Sequence, residues 1–263
     1  MDTPWLKQDK THPLFPDLEW SRPENRQYAG KLLVVGGSSH GFAAPAEAFA
    51  ESLKAGVGTP QALLPDAIKK LVGIIIYEAD FAPSTPSGSF SQRALAQGLE
   101  SAAWADGMLI AGDLSRNSET AIFMEKLLSK TSLPTTITKD AVDYVTAAPQ
   151  TVLVREQTAL VLSLAQLQRL GTASKFEHAI TFSMGIPQLT AWLATFSRTF
   201  APHIIVKQHE HIFVAVNGEV SSTRLNKDMK TWRLKTATHA SVWWIQNQSN
   251  PFAAFNAAVY SLL

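Results

Sequence analysis

From Lys31 onward, short unbroken apolar runs alternate with longer stretches in which apolar residues recur every three or four positions. Leu32-Leu33-Val34-Val35 ends in Gly36-Gly37, and Met108-Leu109-Ile110-Ala111 ends in Gly112. An apolar run of this length, closed by glycine, predicts a strand buried on both faces, as in a parallel sheet. Thr135 to Thr138, Val152 to Val154 and Ile204 to Val206 read as further strands. Between them lie helical spacings. Ala46, Phe49, Ala50 and Leu53 lie between Pro45 and Ala55. Residues 121–128 follow, then Leu160, Leu164 and Leu167 closed by Gly171, then Leu189, Trp192, Leu193 and Phe196 ended by Pro202. Strand–helix alternation implies βαβ units with right-handed crossovers.

The last third breaks this rhythm. Ile212 to Val216, then Asn217-Gly218, then Glu219 to Ser222 predicts a hairpin, because Asn-Gly suits a type I′ turn. Residues 240–263 read as two helices separated near Asn250-Pro251. The fold class is therefore α/β, a three-layer α/β/α sandwich with a mainly parallel sheet and an antiparallel edge hairpin. Residues 1–30 carry Pro4, Pro13, Pro16 and Pro23 with Trp5 and Trp20, and read as an extended arm packed on one domain spanning 31–263.

Composition narrows the classes. The chain has 263 residues, 46% of them hydrophobic and 17% charged, which supports a core and argues against disorder. A net charge of +1 argues against a globally steered nucleic-acid or membrane-surface binder. The absence of cysteine removes disulfides, thiolate metal sites and a cysteine nucleophile. The expectation is a soluble cytoplasmic protein, since neither a signal-peptide pattern nor an apolar stretch of bilayer length is visible.

Several groups bear on chemistry. Gly36-Gly37-Ser38-Ser39-His40-Gly41 joins a buried strand to a helix, where glycine permits close approach and a helix start offers free N–H groups. It matches neither the dinucleotide fingerprint nor the P-loop, so a plain tight turn is the competing reading. In His209-Glu210-His211 the two histidines would share a face on a strand, but a turn there is equally expected and no third ligand is placed by the sequence, so the favoured reading is solvated turn residues and no metal site. Arg224, Lys227, Lys230, Arg233 and Lys235 are opposed only by Asp228, which fits a solvated loop or an anion site. Ser183-Met184-Gly185 lacks the hydrolase elbow frame. His178 and His203 read as structural.

The order of these motifs resembles the ribokinase-like superfamily, and within it the ADP- or ATP-dependent NAD(P)H-hydrate dehydratases, over roughly residues 25–263. Gly30 to Ser38 resembles the family's opening strand and Gly-Gly-Ser turn. Ala43-Ala44-Pro45 is similar to its Gly-Ala-Pro helix start, and Lys54 to Gly58 to its Arg-Ala-Gly-Ala-Gly stretch. Ile110 to Arg116 sits where the family has Gly-Pro-Gly-Leu-Gly, and Thr138 to Val142 resembles Asp-Ala-Asp-Ala-Leu, keeping Asp140. The family's His-Pro-Gly-Glu falls on Arg155-Glu156-Gln157-Thr158, and its Lys-Gly-Ala-His on Lys207-Gln208-His209-Glu210. Its signature Gly-Gly-Thr-Gly-Asp falls on Ala237-Thr238-His239-Ala240-Ser241, preceded by Thr236, so no glycine remains and serine replaces the aspartate.

The resemblance implies a fold, a hydrated NAD(P)H substrate, ADP or ATP with Mg²⁺, and a tendency to homo-oligomers. It implies a substrate pocket at Gly37, Ser38, Ser39, His40, Ala44 and Pro45. It implies nucleotide contacts at Lys207, Thr236, Thr238, His239 and Ala240. The cations just upstream, Lys227 and Lys230 among them, are expected to replace part of the lost backbone donors. The catalytic positions are Ser241 and Asp140. Without glycines, backbone N–H groups cannot converge on a phosphoryl group, and an unassisted serine cannot replace a carboxylate base near neutral pH. The expected function is thus an impaired NAD(P)H-hydrate dehydratase or related small-molecule kinase. The alternative is a non-catalytic relative that binds a nucleotide or a partner.

Overall fold

The computed structural model describes residues 5–72, 76, 78–225 and 232–263. Among the described residues ten strands form one sheet: β1 (Trp5–Gln8), β2 (Lys31–Gly36), β3 (Thr59–Pro65), β4 (Ala79–Ala82), β5 (Gly107–Gly112), β6 (Thr135–Thr138), β7 (Thr158–Ser163), β8 (His203–Gln208), β9 (His211–Val216) and β10 (Glu219–Arg224). The spatial order is β1-β10-β9-β8-β7-β6-β5-β2-β3-β4. From β8 to β4 every pairing is parallel, and only β9 runs against its neighbours.

The helices are α1 (Pro16–Trp20), α2 (Ala43–Lys54), α3 (Lys69–Val72), α4 (Leu95–Trp104), α5 (Ser118–Lys130), α6 (Ala141–Ala147), α7 (Gln150–Leu153), α8 (Leu164–Ala173), α9 (Ile186–Thr199), α10 (Arg233–Gln246) and α11 (Pro251–Tyr260). Alternate strand residues face opposite cores. Leu33, Val35, Ile110, Leu160 and Val206 pack against α4 to α9. Leu32, Val34, Leu109, Val161 and Ile205 pack against α2, α10 and α11. This is the expected three-layer α/β sandwich. No helix among the described residues is long and apolar enough to cross a membrane.

Three readings are corrected. Val152 and Leu153 belong to a helix, and the true strand, β7, begins at Thr158. Leu160, Leu164 and Leu167 fit helical spacing across a strand–helix junction, an ambiguity inherent in short apolar runs. The hairpin forms, with Asn217 at φ 50° and Gly218 at φ 86°, as a type I′ turn requires. Its outer strand is nevertheless not the edge of the sheet, because β1 of the arm pairs in parallel with β10, Trp5 opposite Val220. The arm is anchored further by Gln8 Nε2, which donates to Thr223 Oγ1 at 2.8 Å and to the Asn256 carbonyl at 2.9 Å. The first of the two final helices starts at Arg233, seven residues earlier than expected.

His203 opens β8 beneath the Trp244 and Phe255 rings, and its buried Nδ1 has no partner. Burial holds its pKa down at about 4. A depressed histidine costs nothing above the unfolded pKa near 6.5, but stability drains away as pH falls from there towards 4, because the unfolded chain takes up the proton first. The loss reaches roughly 3 kcal/mol. Urea unfolding of His203→Phe should therefore show a shallower decline between pH 6.5 and 4 than wild type. Equal declines would assign the acid sensitivity elsewhere.

Candidate functional site

The carboxyl ends of the parallel strands converge where the chain reverses direction in the sheet. From β2 the chain steps outward to β3 and β4, then returns to lay β5 along the other edge of β2. In open α/β sheets the crevice outside the strand ends at such a reversal point is the usual ligand position. Here Gly36 approaches Gly112 so closely that a Cβ on Gly36 would stand 2.6 Å from the Gly112 carbonyl oxygen. The Gly37 N–H donates to that carbonyl at 3.0 Å. Across the crevice the Ser38 and Ser115 hydroxyls meet at 2.8 Å. Ser39 is bound to the 87–88 loop, through its N–H to the Gly88 carbonyl and its hydroxyl to the Ser87 carbonyl.

Two carboxylates organise the crevice. Asp140, just beyond β6, accepts the N–H of Asp113 at 2.7 Å and that of Leu114 at 2.9 Å. Asp113 in turn accepts the Ala44 N–H at 2.7 Å, so it caps the N-terminus of α2, and Lys139 Nζ lies 3.6 Å from its other oxygen. Asp113, Ser115 and Lys139 all hold positive φ, between 55° and 58°. The turn at 113–115 thus keeps a glycine-like backbone path on residues with side chains. Left-handed residues of this kind each cost of order 1 kcal/mol or more and gather at ligand sites.

A second junction closes the crevice. Gln166 Nε2 donates to the Lys139 carbonyl at 2.7 Å, and Gln166 Oε1 accepts from Arg233 Nη1 at 3.2 Å. The start of α8, the end of β6 and the start of α10 are thereby joined. Ser163 and Gln166 also form the capping box of α8. The first turn of α10 carries Arg233 and Lys235 and no acidic residue.

The expected site residues fall into groups. Gly37, Ser38, Ala44 and Pro45 lie at the crevice but are buried, while Ser39 and His40 are exposed on its rim. Lys207 is half-buried at the carboxyl end of β8, opposite Ser163. Asp140 is present, but as an acceptor of two backbone N–H groups. Thr236, Thr238, His239, Ala240 and Ser241 are all buried inside α10. Ser241 is in the third turn, with its hydroxyl donating to the Ala237 carbonyl at 2.8 Å, so it stands away from the helix start. The register that placed it there is corrected: the residues at the positive end of α10 are Arg233, Leu234 and Lys235. Lys227 and Lys230 lie outside the described residues.

Arg155 is likewise corrected. Its guanidinium binds Thr135 Oγ1, Thr158 Oγ1 and the Leu133 carbonyl at the amino ends of β6 and β7, the opposite end of the sheet. The segment that β7 delivers to the crevice is Ser163-Leu164-Ala165-Gln166. His209 takes a left-handed turn conformation, and among the described residues no group of three or more His, Cys, Asp or Glu is placed to hold a metal ion. Asp113 and Asp140 are both committed to backbone donors, so neither is an unengaged ligand for Mg²⁺. Arg233 and Lys235 belong to the basic cluster read from sequence as a solvated loop or an anion site, whereas Asp113, Ser115 and Gln166 were not singled out. Each of these three is an isolated polar residue whose place at the site appears through contacts 26 or more positions away.

No family model matches the chain. A bifunctional NAD(P)H-hydrate repair enzyme of Moorella thermoacetica is 32% identical over 136 residues, 51% of this chain and 26% of the relative, so the chain matches about a quarter of that protein's length. Among solved structures, a ribokinase-like superfamily protein of Enterococcus faecalis superposes with a TM-score of 0.71 at 14% identity, covering 98% of this chain and 86% of that one. An ADP/ATP-dependent NAD(P)H-hydrate dehydratase of Bacillus subtilis, co-crystallised with ATP/Mg²⁺ and soaked with CoA, superposes with a TM-score of 0.63 at 13% identity, covering 99% and 87%. The chain has the ribokinase-like fold, and in sequence and structure it resembles NAD(P)H-hydrate repair enzymes.

Proposed function

We propose that this chain is an NAD(P)H-hydrate dehydratase-like protein that binds a nucleotide at the carboxyl edge of its sheet and has lost efficient nucleotide-dependent dehydration. The observation that carries the proposal is the start of α10. A helix N-terminus facing a crevice is suited to a phosphate, yet its first turn offers Arg233 and Lys235 and neither glycines nor a carboxylate. Cationic side chains attract a phosphate without converging on a transferring phosphoryl group as backbone donors do. With Ser241 bonded inside the helix and Asp140 holding the β5 turn, neither of the two expected catalytic positions offers a free base.

This reading makes binding weak and dependent on salt, since exposed charges are screened beyond roughly 10 Å at 0.1 M salt. Calorimetric titration with ADP and ATP at low and high salt should give binding that fades with salt and is lost in Arg233→Ala with Lys207→Ala. Tight binding indifferent to salt and to both substitutions would overturn the role of the cations. No binding at low salt would overturn the nucleotide itself and leave a non-catalytic scaffold.

A further inference from the structure

Away from the crevice, three helices bring a serine, a histidine and a glutamate into line. Ser261 caps the end of α11, His239 is on α10 and Glu51 on α2. His239 Nε2 lies 3.1 Å from Glu51 Oε1, and His239 Nδ1 lies 2.9 Å from Ser261 Oγ. The carboxylate fixes the tautomer. An acceptor-only oxygen requires the proton on Nε2, which leaves Nδ1 with its lone pair towards the serine hydroxyl. The only other acceptor the serine meets among the described residues is the Ala258 carbonyl at 2.8 Å.

The histidine and the glutamate are buried, and the serine is exposed in the wall of a cavity of about 510 Å³ between the arm and α11. Phe15, Pro16, Trp20 and Tyr260 give that cavity an apolar lining, and Lys10 and Glu19 are its charged wall residues. The charged groups around the histidine are Glu51 and Lys54 on α2, Lys235 on its own helix and Arg22 of the arm. Burial foremost holds the His239 pKa below its ordinary value, which keeps the ring neutral and able to accept a proton near pH 7.

We propose that Ser261 is an activated nucleophile, with His239 as its general base and Glu51 as the positioning residue, acting on small esters of apolar acids held in the arm cavity. Nucleophile, base and orienting carboxylate within hydrogen-bond reach define such a device on any fold. In acylation, Ser261 Oγ bonds to the ester carbonyl carbon and its proton passes to His239 Nδ1. The C–O bond to the leaving alcohol breaks, and that alcohol takes the proton from His239. Water then attacks the acyl-serine, giving its proton to His239, which returns it to Ser261 as the acid departs. Lys10 is the cation of the cavity wall. Lys235 at the start of α10 pairs with Glu51 Oε1 at 3.7 Å, so the two sites share a residue, although this proposal does not rest on the nucleotide reading.

The test is reaction of the full chain with an aryl fluorophosphonate, located by peptide mass spectrometry, with release of nitrophenol from p-nitrophenyl butyrate as the second readout. Modification should fall on Ser261 and vanish in Ser261→Ala. The rate should drop at least ~100-fold in His239→Asn, the lower end for a positioned base. In Glu51→Gln the pH midpoint of the labelling rate should move to lower pH, because the imidazolium loses its carboxylate. Absence of modification in wild type, modification spread over other serines, or a rate unchanged by His239→Asn would overturn the proposal. If His239→Asn does not fold by circular dichroism, an unmoved pH midpoint in Glu51→Gln overturns it instead.

Discussion

Replacing Asp140 by alanine is expected to cost about 3 kcal/mol, since each hydrogen bond to a charged acceptor contributes roughly 1.5–3 kcal/mol and this one is partly solvated. The carboxylate accepts two consecutive backbone N–H groups, those of Asp113 and Leu114. Alanine would leave both without an acceptor in a turn where Asp113 and Ser115 hold left-handed conformations. The consequence spreads, because Asp113 caps α2 through the Ala44 N–H and pairs with Lys139. In a chain of this length, 3 kcal/mol corresponds to a fall in Tm of roughly 6–12 °C. Asp140→Asn should retain part of the stability, since its amide oxygen can still accept one N–H while its NH₂ opposes the other. Thermal and urea unfolding measure both. An Asp140→Ala protein melting within a degree or two of wild type would show that the turn does not depend on this side chain.

That role was only partly legible. The strands β2 and β5 could be read directly, because both are unbroken apolar runs closed by glycine, and so could the hairpin, because Asn217-Gly218 has few competing conformations. β3 was missed: Pro60 and Pro65 lie inside it and proline argues against an inner strand, yet it pairs on both sides. β7 was hidden because Leu160 continues into the helical spacing of α8. The start of α10 had no mark, since Trp232 precedes it with no side-chain cap. That missing signal placed Ser241 at a helix start when it is buried in the third turn. The glycine-rich end of the crevice followed from local sequence, whereas the Gln166–Arg233 junction depends on residues 67 positions apart and on the true helix boundary.

The most direct test of the central claim is recovery of NADH from its hydrate, with ADP or ATP and Mg²⁺, alongside the Bacillus subtilis dehydratase as the active control. Convergent phosphate donors contribute about 10²–10³ in rate and a positioned base about 10²–10⁴. Neither of the two expected catalytic positions offers a free base, and the first turn of α10 presents Arg233 and Lys235 where such a cradle would lie. Turnover should therefore be at least ~10⁴-fold below the control. Turnover within tenfold of the control would contradict the account, and would mean that a base and a phosphate cradle are supplied by groups other than those at the start of α10.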